Sequence, residues 1–261
     1  MNERKKNLAH TKPISLETKK LLRALAKKYE TKNFLLGDPS CILYRYKNLR
    51  DTEIASFIMA LLAFGKREQF LKKAETIFSL MKGEPFHWIK NGNWQNDFSH
   101  GEKKFYRFFS FDDVRDVFFA IQKILEVEKT FGDAVRKKYE SAKQTQKNIL
   151  LSQVIAEFFP NCKMVSRTKN SSAKRLNLFA KWMVRDNSCV DLGAWKWFPK
   201  SALVIPLDTH VLAEAKKLKL ISENKLANLQ TALELTEKLK EVWKADPCKG
   251  DFALFGSGVN S

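Results

Sequence analysis

Residues 51–65 read DTEIASFIMALLAFG, and this stretch decides the fold. From Ile54 to Phe64 only Ser56 is polar. A helix that is apolar on most sides has no solvent face, so it must run through the centre of a core. Asp51 is placed to cap it, Glu53 falls in its first turn, and Gly65 is placed to stop it. Residues 67–83, REQFLKKAETIFSLMKG, return to a one-sided apolar pattern and predict an amphipathic helix ending at Gly83.

Working outward, helical periodicity recurs along the chain. Residues 15–30, SLETKKLLRALAKKYE, place Leu16, Leu21, Leu22, Leu25, Ala26 and Tyr29 on one face, with Ser15 as N-cap. A break follows at Gly37-Asp38-Pro39. Residues 84–110 carry Pro85, Gly92 and Gly101 among aromatics and read as a loop. A helix over 114–130 starts from Asp112 or Asp113, and residues 133–159 predict two more. SSAKRLNLFAKWMVR, residues 171–185, is helical with Ser171 or Ser172 as cap. Three further stretches, VLAEAKKLKL, LQTALELTEKLKEVW and DFALFGSG, complete the set. Convincing strands are scarce, and neither an internal repeat nor a separating linker is present. The reading is an all-α fold over residues 15–261, in two helical lobes with a cleft between them. A basic tail of residues 1–14 precedes it.

Composition narrows the function. The 261 residues carry 47 Lys+Arg against 29 Asp+Glu, a formal charge of +18. So large a surplus repels itself, and a polyanionic partner is its natural counterpart. The 44% hydrophobic content is too high for a disordered chain. No apolar run approaches the roughly 18 residues of a membrane span. Cys41, Cys162, Cys189 and Cys248 are too scattered for a zinc knuckle and read as buried or partly buried thiols of a reducing cytosol.

The chemistry-bearing stretch is FPKSALVIPLDTHVLAEAKKLKLI, residues 198–221. Apolar residues 202–205 lead into Pro206, which restricts the residue before it to extended geometry. Asp208 then stands at the mouth of a helix beginning at Thr209 or His210, where backbone N–H groups and the helix dipole complement a carboxylate. On spacing alone Asp208 reads as an N-cap.

Resemblance adds to that reading. Residues 207–211, LDTHV, resemble the V-D-T-H-[VI] segment of the endonuclease III-like, helix-hairpin-helix DNA glycosylase superfamily. Residues 51–78 are similar to that family's early buried helix, loop and following helix, and DFALFG, residues 251–256, to its closing helix. The chain also resembles a conserved bacterial family through KRLNLFAKWMVR, VDLGAWKW, IPLDTHV and DPCKGDFALFGSGVN. The glycosylase resemblance implies an essential catalytic carboxylate at Asp208. It implies a nucleophilic lysine at Lys174, with Lys181 and Lys196 as fallbacks. The wide spacing from Lys174 to Asp208 is similar to the archaeal 8-oxoguanine glycosylase branch. Lys66, Arg67, Gln69, Ser171, Ser172, Arg175 and His210 would contact nucleic acid, and Trp195, Trp197 and Phe255 would stack on an extruded base. Two departures stand out. The L-P-G-[VI]-G hairpin is absent ahead of Lys174, where TKNSSAKRLNLFAKW stands. The C-terminal four-cysteine motif is also absent, so no iron–sulfur cluster is implied.

The expectation is a base-excision glycosylase, with AP-lyase activity if Lys174 attacks. It takes damaged duplex DNA as partner, with no cofactor, metal or membrane, and works as a monomer in the cytoplasm. Charge alone does not separate DNA from RNA, and a non-catalytic nucleic-acid-binding protein would carry the same basic surface.

Overall fold

A computed structural model describes residues 12–146, 148–166 and 171–259, without the side chains of 257–259. The fold is mainly all-α. In chain order the helices are α1 (Leu16–Tyr29), α2 (Leu49–Leu62), α3 (Arg67–Leu80), α4 (Pro85–Lys90), α5 (Trp94–Asp97), α6 (Phe111–Val127), α7 (Phe131–Thr145), α8 (Leu151–Ala156), α9 (Lys174–Val184), α10 (Thr209–Lys217), α11 (Leu229–Leu239) and α12 (Gly250–Val259). Among the described residues the only sheet is an antiparallel hairpin of β1 (Lys104–Tyr106) and β2 (Phe109–Ser110). No described helix is long and apolar enough to cross a membrane.

The central helix is where the sequence places it: every residue of α2 from Asp51 to Leu62 is buried. Its start lies one turn earlier than expected. Asn48 is the N-cap, and its side chain accepts the Asp51 N–H at 2.8 Å. Asp51 instead reaches inward and accepts the Phe86 N–H at 2.7 Å, so it caps the start of α4 rather than of its own helix. The end also comes early, at Leu62. Gly65 lies in the following loop at φ 80°, where an added Cβ would stand 2.7 Å from Arg107 Nη1 and 2.8 Å from Tyr106 Oη. The left-handed backbone is what favours glycine there, since the two close atoms are the ends of side chains.

The stretch 84–110, expected as loop, contains α4, α5 and the hairpin. Each element is too short to show a period. Their aromatic residues, among them Phe86, Trp88, Trp94, Phe98, Phe105 and Phe109, are buried against α6 and one another. Helix α6 starts at Ser110, which exchanges a capping box with Asp113. On α1, Leu22 and Ala26 are buried, but Leu16 and Leu21 of the expected apolar face are exposed. Gly256 does not end the last helix. It lies within α12, where a Cβ would collide with the Tyr29 ring. Residues 1–11 of the expected tail lie outside the described residues. Ile14 belongs to the fold: it is buried, and its N–H donates to Glu241 at 2.9 Å. Cys162 and Cys248 are buried thiols, whereas Cys41 is exposed.

A buried carboxylate joins α2 to its surroundings. Glu53 is 1% exposed; its oxygens accept the Trp195 indole N–H at 2.7 Å and the Gly132 N–H at 3.1 Å. Burial pushes its pKa up to about 7, against the lowering effect of both hydrogen bonds. A carboxyl raised in the folded state holds its proton more tightly than the unfolded chain does. Its contribution is therefore complete below about pH 4.5 and is lost as pH rises toward 7. The shift corresponds to about 3 kcal/mol. Urea unfolding at pH 5 and pH 8 is expected to show lower stability at pH 8, and Glu53→Gln is expected to flatten that difference. An unchanged difference in the variant would assign the pH dependence to other groups.

Candidate active site at the α9 and α10 N-termini

The apolar run 203–207 is buried, and it delivers Asp208 to the surface where α10 begins. Asp208 is the N-cap: Oδ1 accepts the N–H groups of His210 at 3.0 Å and Val211 at 2.9 Å. This fixes one carboxylate oxygen and leaves the other to a second partner. Oδ2 lies 3.3 Å from Lys174 Nζ, at the first residue of α9. The Asp208 side chain is 16% exposed and that of Lys174 26%. The two residues are far apart in sequence, and the buried segment between them folds back to bring them together.

Three further contacts hold the pair. The Ser172 hydroxyl donates to the Leu207 carbonyl at 3.0 Å, tying the turn before α9 to the strand-like approach of Asp208. Lys174 Nζ also donates to the Ala63 carbonyl at 3.3 Å, and Arg175 Nη1 to the Leu61 carbonyl at 2.8 Å. Both cations thus sit at the C-terminal end of α2, the negative end of its dipole. Burial pulls the Arg175 pKa down to about 10.

Over residues 38–260 the sequence matches a family model described as a protein of unknown function (DUF2400). The chain belongs to the DUF2400 family. No curated protein and no solved structure matches it.

In this DUF2400 chain several sequence-based assignments need correction. Neither serine caps α9. Its N-cap is Ala173, in the left-handed conformation at φ 49°, and Ser171 Oγ accepts the Ala173 N–H at 3.1 Å. Residues 167–170 ahead of it lie outside the described residues. Ser172 is committed to Leu207, and the Arg175 guanidinium is turned inward over the rings of Phe64 and Phe109, at 5.2 and 5.5 Å, so neither is a free phosphate contact. Trp195 is 2% exposed and hydrogen-bonded to Glu53, part of an aromatic core with Phe131 and Phe179. No extruded base can stack on it. Trp197 is half-buried against Tyr139 and Trp195. Phe255, also half-buried, lies against Phe34, with Arg67 6.0 Å from its ring. Lys66 and Gln69 are exposed at the start of α3, close in sequence to Ala63, and His210 is exposed on the first turn of α10. Of the fallback lysines, Lys196 is exposed. Lys181 is 2% exposed and ion-paired to Asp251 at 2.8 Å and Asp191 at 3.6 Å, which removes it as a nucleophile.

Two hollows are distinct from the pair. One is an apolar void of about 10 Å³ beneath Ile58 and Phe118, and the other a depression of about 510 Å³ lined by Arg23, Lys27, Glu30 and Trp243. Neither takes in Lys174 or Asp208. Among the described residues no group of three or more His, Cys, Asp or Glu side chains is placed to hold a metal ion.

Sequence reasoning missed a buried ion cluster beneath α9. Lys181 and Arg185, one turn apart, meet Asp191, Asp251, Asp246 and Glu30, drawn from four segments of the chain. Its only sequence signal was the Lys181/Arg185 spacing, which in so basic a chain looks like surface charge.

Proposed function

We propose that this protein is a DNA base-excision enzyme, an N-glycosylase in which Lys174 and Asp208 act at one centre. The observation that carries the reading is the contact between a helix-capping carboxylate and a partly exposed lysine at 3.3 Å. The +18 charge and the glycosylase-like segments at 51–78, 207–211 and 251–256 support it.

The chemistry follows from the pair. Lys174 must lose a proton before it attacks, and Asp208 Oδ2 is the acceptor in reach. Nζ then bonds to the anomeric carbon while the glycosidic bond breaks. The bond pair leaves with the base, which takes up the proton that Asp208 received from Lys174, so the carboxylate is restored as the bond breaks. The carboxylate faces the positive charge that develops on the sugar. The nitrogen loses a second proton and the ring oxygen gains one as the ring opens to a Schiff base; loss of a C2′ proton and departure of the 3′ phosphate then break the strand on the 3′ side by β-elimination. The target nucleotide must leave the helix to reach the pair, at a cost that is smallest at a damaged or mismatched base.

The test incubates the protein with duplexes carrying 8-oxoguanine, uracil, an alkylated base or an abasic site, followed by borohydride. The expected result is a covalent protein–DNA adduct on at least one duplex, absent in Lys174→Ala. Base release without trapping would make Asp208 the activator of a water molecule and remove the lyase step. Salt-sensitive binding with neither product would leave a non-catalytic nucleic-acid-binding protein.

A further inference from the structure

The turn of the hairpin carries two locally unfavourable residues side by side. Arg107 is left-handed at φ 53°, a position that glycine or asparagine fills at less cost. Phe108 is 65% exposed at the tip, on a chain that buries most of its other phenylalanines. A two-residue turn asks for a positive φ, and Lys82, Ala173, Asn187 and Lys219 adopt one too, so reversal of the chain accounts for Arg107 but not for an exposed Phe108.

The Phe108 ring is held in place rather than loose. It packs on Phe109 at 4.5 Å and on Phe64 at 5.4 Å between centroids, leaving the rest of the ring to solvent. Phe64 is itself fixed by Tyr106 at 5.0 Å and by the guanidinium groups of Arg175 and Arg107 at 5.2 and 5.9 Å. The Tyr106 hydroxyl donates to the Phe64 carbonyl. The residue before Phe64 is Ala63, whose carbonyl accepts from Lys174. A short run of direct contacts therefore links the tip to the Lys174–Asp208 pair. On the hairpin and the loop it packs against, Lys66, Lys103, Lys104 and Arg107 are exposed, against the exposed acids Glu68 and Glu102.

We infer that Phe108 stacks on a base left without its neighbour or partner, and that the substrate is a duplex interrupted by an unpaired nucleotide rather than a uniform helix. A rigid aromatic platform suits a base face of any sequence, and flanking cations suit the phosphates beside it. The inference rests on the nucleic-acid reading of the Lys174–Asp208 centre.

The experiment measures binding of the full chain to a fully paired duplex and to the same duplex with one unpaired nucleotide flanked by 2-aminopurine. Wild type is expected to bind the interrupted duplex about tenfold tighter and to change the 2-aminopurine fluorescence. Phe108→Ala is expected to lose that tenfold preference and the fluorescence change, while paired-duplex affinity and its salt dependence stay as they were. Phe108→Trp is expected to restore both. The substituted side chain is mostly solvent-exposed, and thermal unfolding of each variant checks that the fold is retained. Equal preference in wild type and Phe108→Ala overturns the inference while leaving the nucleic-acid reading intact. So does a concentration-dependent dimer that Phe108→Ala dissolves, since the tip would then be covered by a second copy. Failure of wild type to bind either duplex overturns both.

Discussion

Asp208→Asn is expected to slow base release by about two to three orders of magnitude while leaving thermal stability nearly unchanged. Asparagine is as good an N-cap as aspartate, so its side-chain oxygen can still accept the His210 and Val211 N–H groups that Oδ1 accepts now. What it lacks is the negative charge. That charge faces Lys174 in the resting protein and would face the electron-poor sugar in the transition state. The lost ion pair is itself of small consequence for folding, because both partners are partly exposed, and such pairs contribute about 0–1 kcal/mol. Single-turnover release on the most active duplex, measured beside thermal unfolding, separates the two roles. A stability loss with unchanged turnover would make residue 208 a helix cap and nothing more.

The second large effect is on stability. Asp191→Asn is expected to cost about 3–5 kcal/mol, read by urea unfolding. Asp191 is fully buried and touches both Lys181 and Arg185. Burial alone would drive those two side chains toward their neutral forms. The surrounding carboxylates, Asp191 foremost, outweigh it and hold both pKa values above the ordinary range. Removing the Asp191 charge leaves two buried cations with less compensation than their desolvation requires. The remaining partners lie toward the edge: Asp251 at 2.8 Å from Lys181, and Asp246 at 2.8 Å and Glu30 at 2.9 Å from Arg185, with Lys249 drawing on Glu30 at 3.4 Å. The Phe252 ring, 4.0 Å from Lys181 Nζ, supplies only a weaker cation–π attraction. As a control, Glu126→Gln removes the solvated i,i+3 pair with Lys123 and is expected to change stability by less than about 0.5 kcal/mol. Equal, small effects for both variants would mean that the buried cations relax to solvent at little cost.

The cationic partners of Asp208 and Asp191 belong to one helix and its C-cap. The N-terminus of α9 presents Lys174, and its C-terminal half carries Lys181, with Arg185 as C-cap, into the ion cluster. The cluster joins α9 to α12, to the end of α1 and to the segment after α9. It therefore bears on the direction in which the first turn of α9 faces Asp208.

The sequence alone determined the helical class, the buried course of α2 and the capping of α10 by Asp208. These depend on local periodicity and on cap chemistry, which neighbouring residues express without help from the rest of the chain. Elsewhere the local signal was overruled or absent. Asn48 displaced Asp51 as cap because the Asp51 carboxylate gains a buried N–H on α4. Ser171 and Ser172 gave way to a left-handed Ala173 because the turn is anchored to Leu207. Trp195 was drawn into the core by a carboxylate on α2. The short elements between residues 84 and 110 have no period to read, since aromatic packing against α6 holds them. Only the tertiary structure decided that Lys174 meets Asp208, that Arg175 turns inward and that six charged groups share one interior. A side chain's partner across a long stretch of chain is set by how helices pack, and no residue records that in its own neighbourhood.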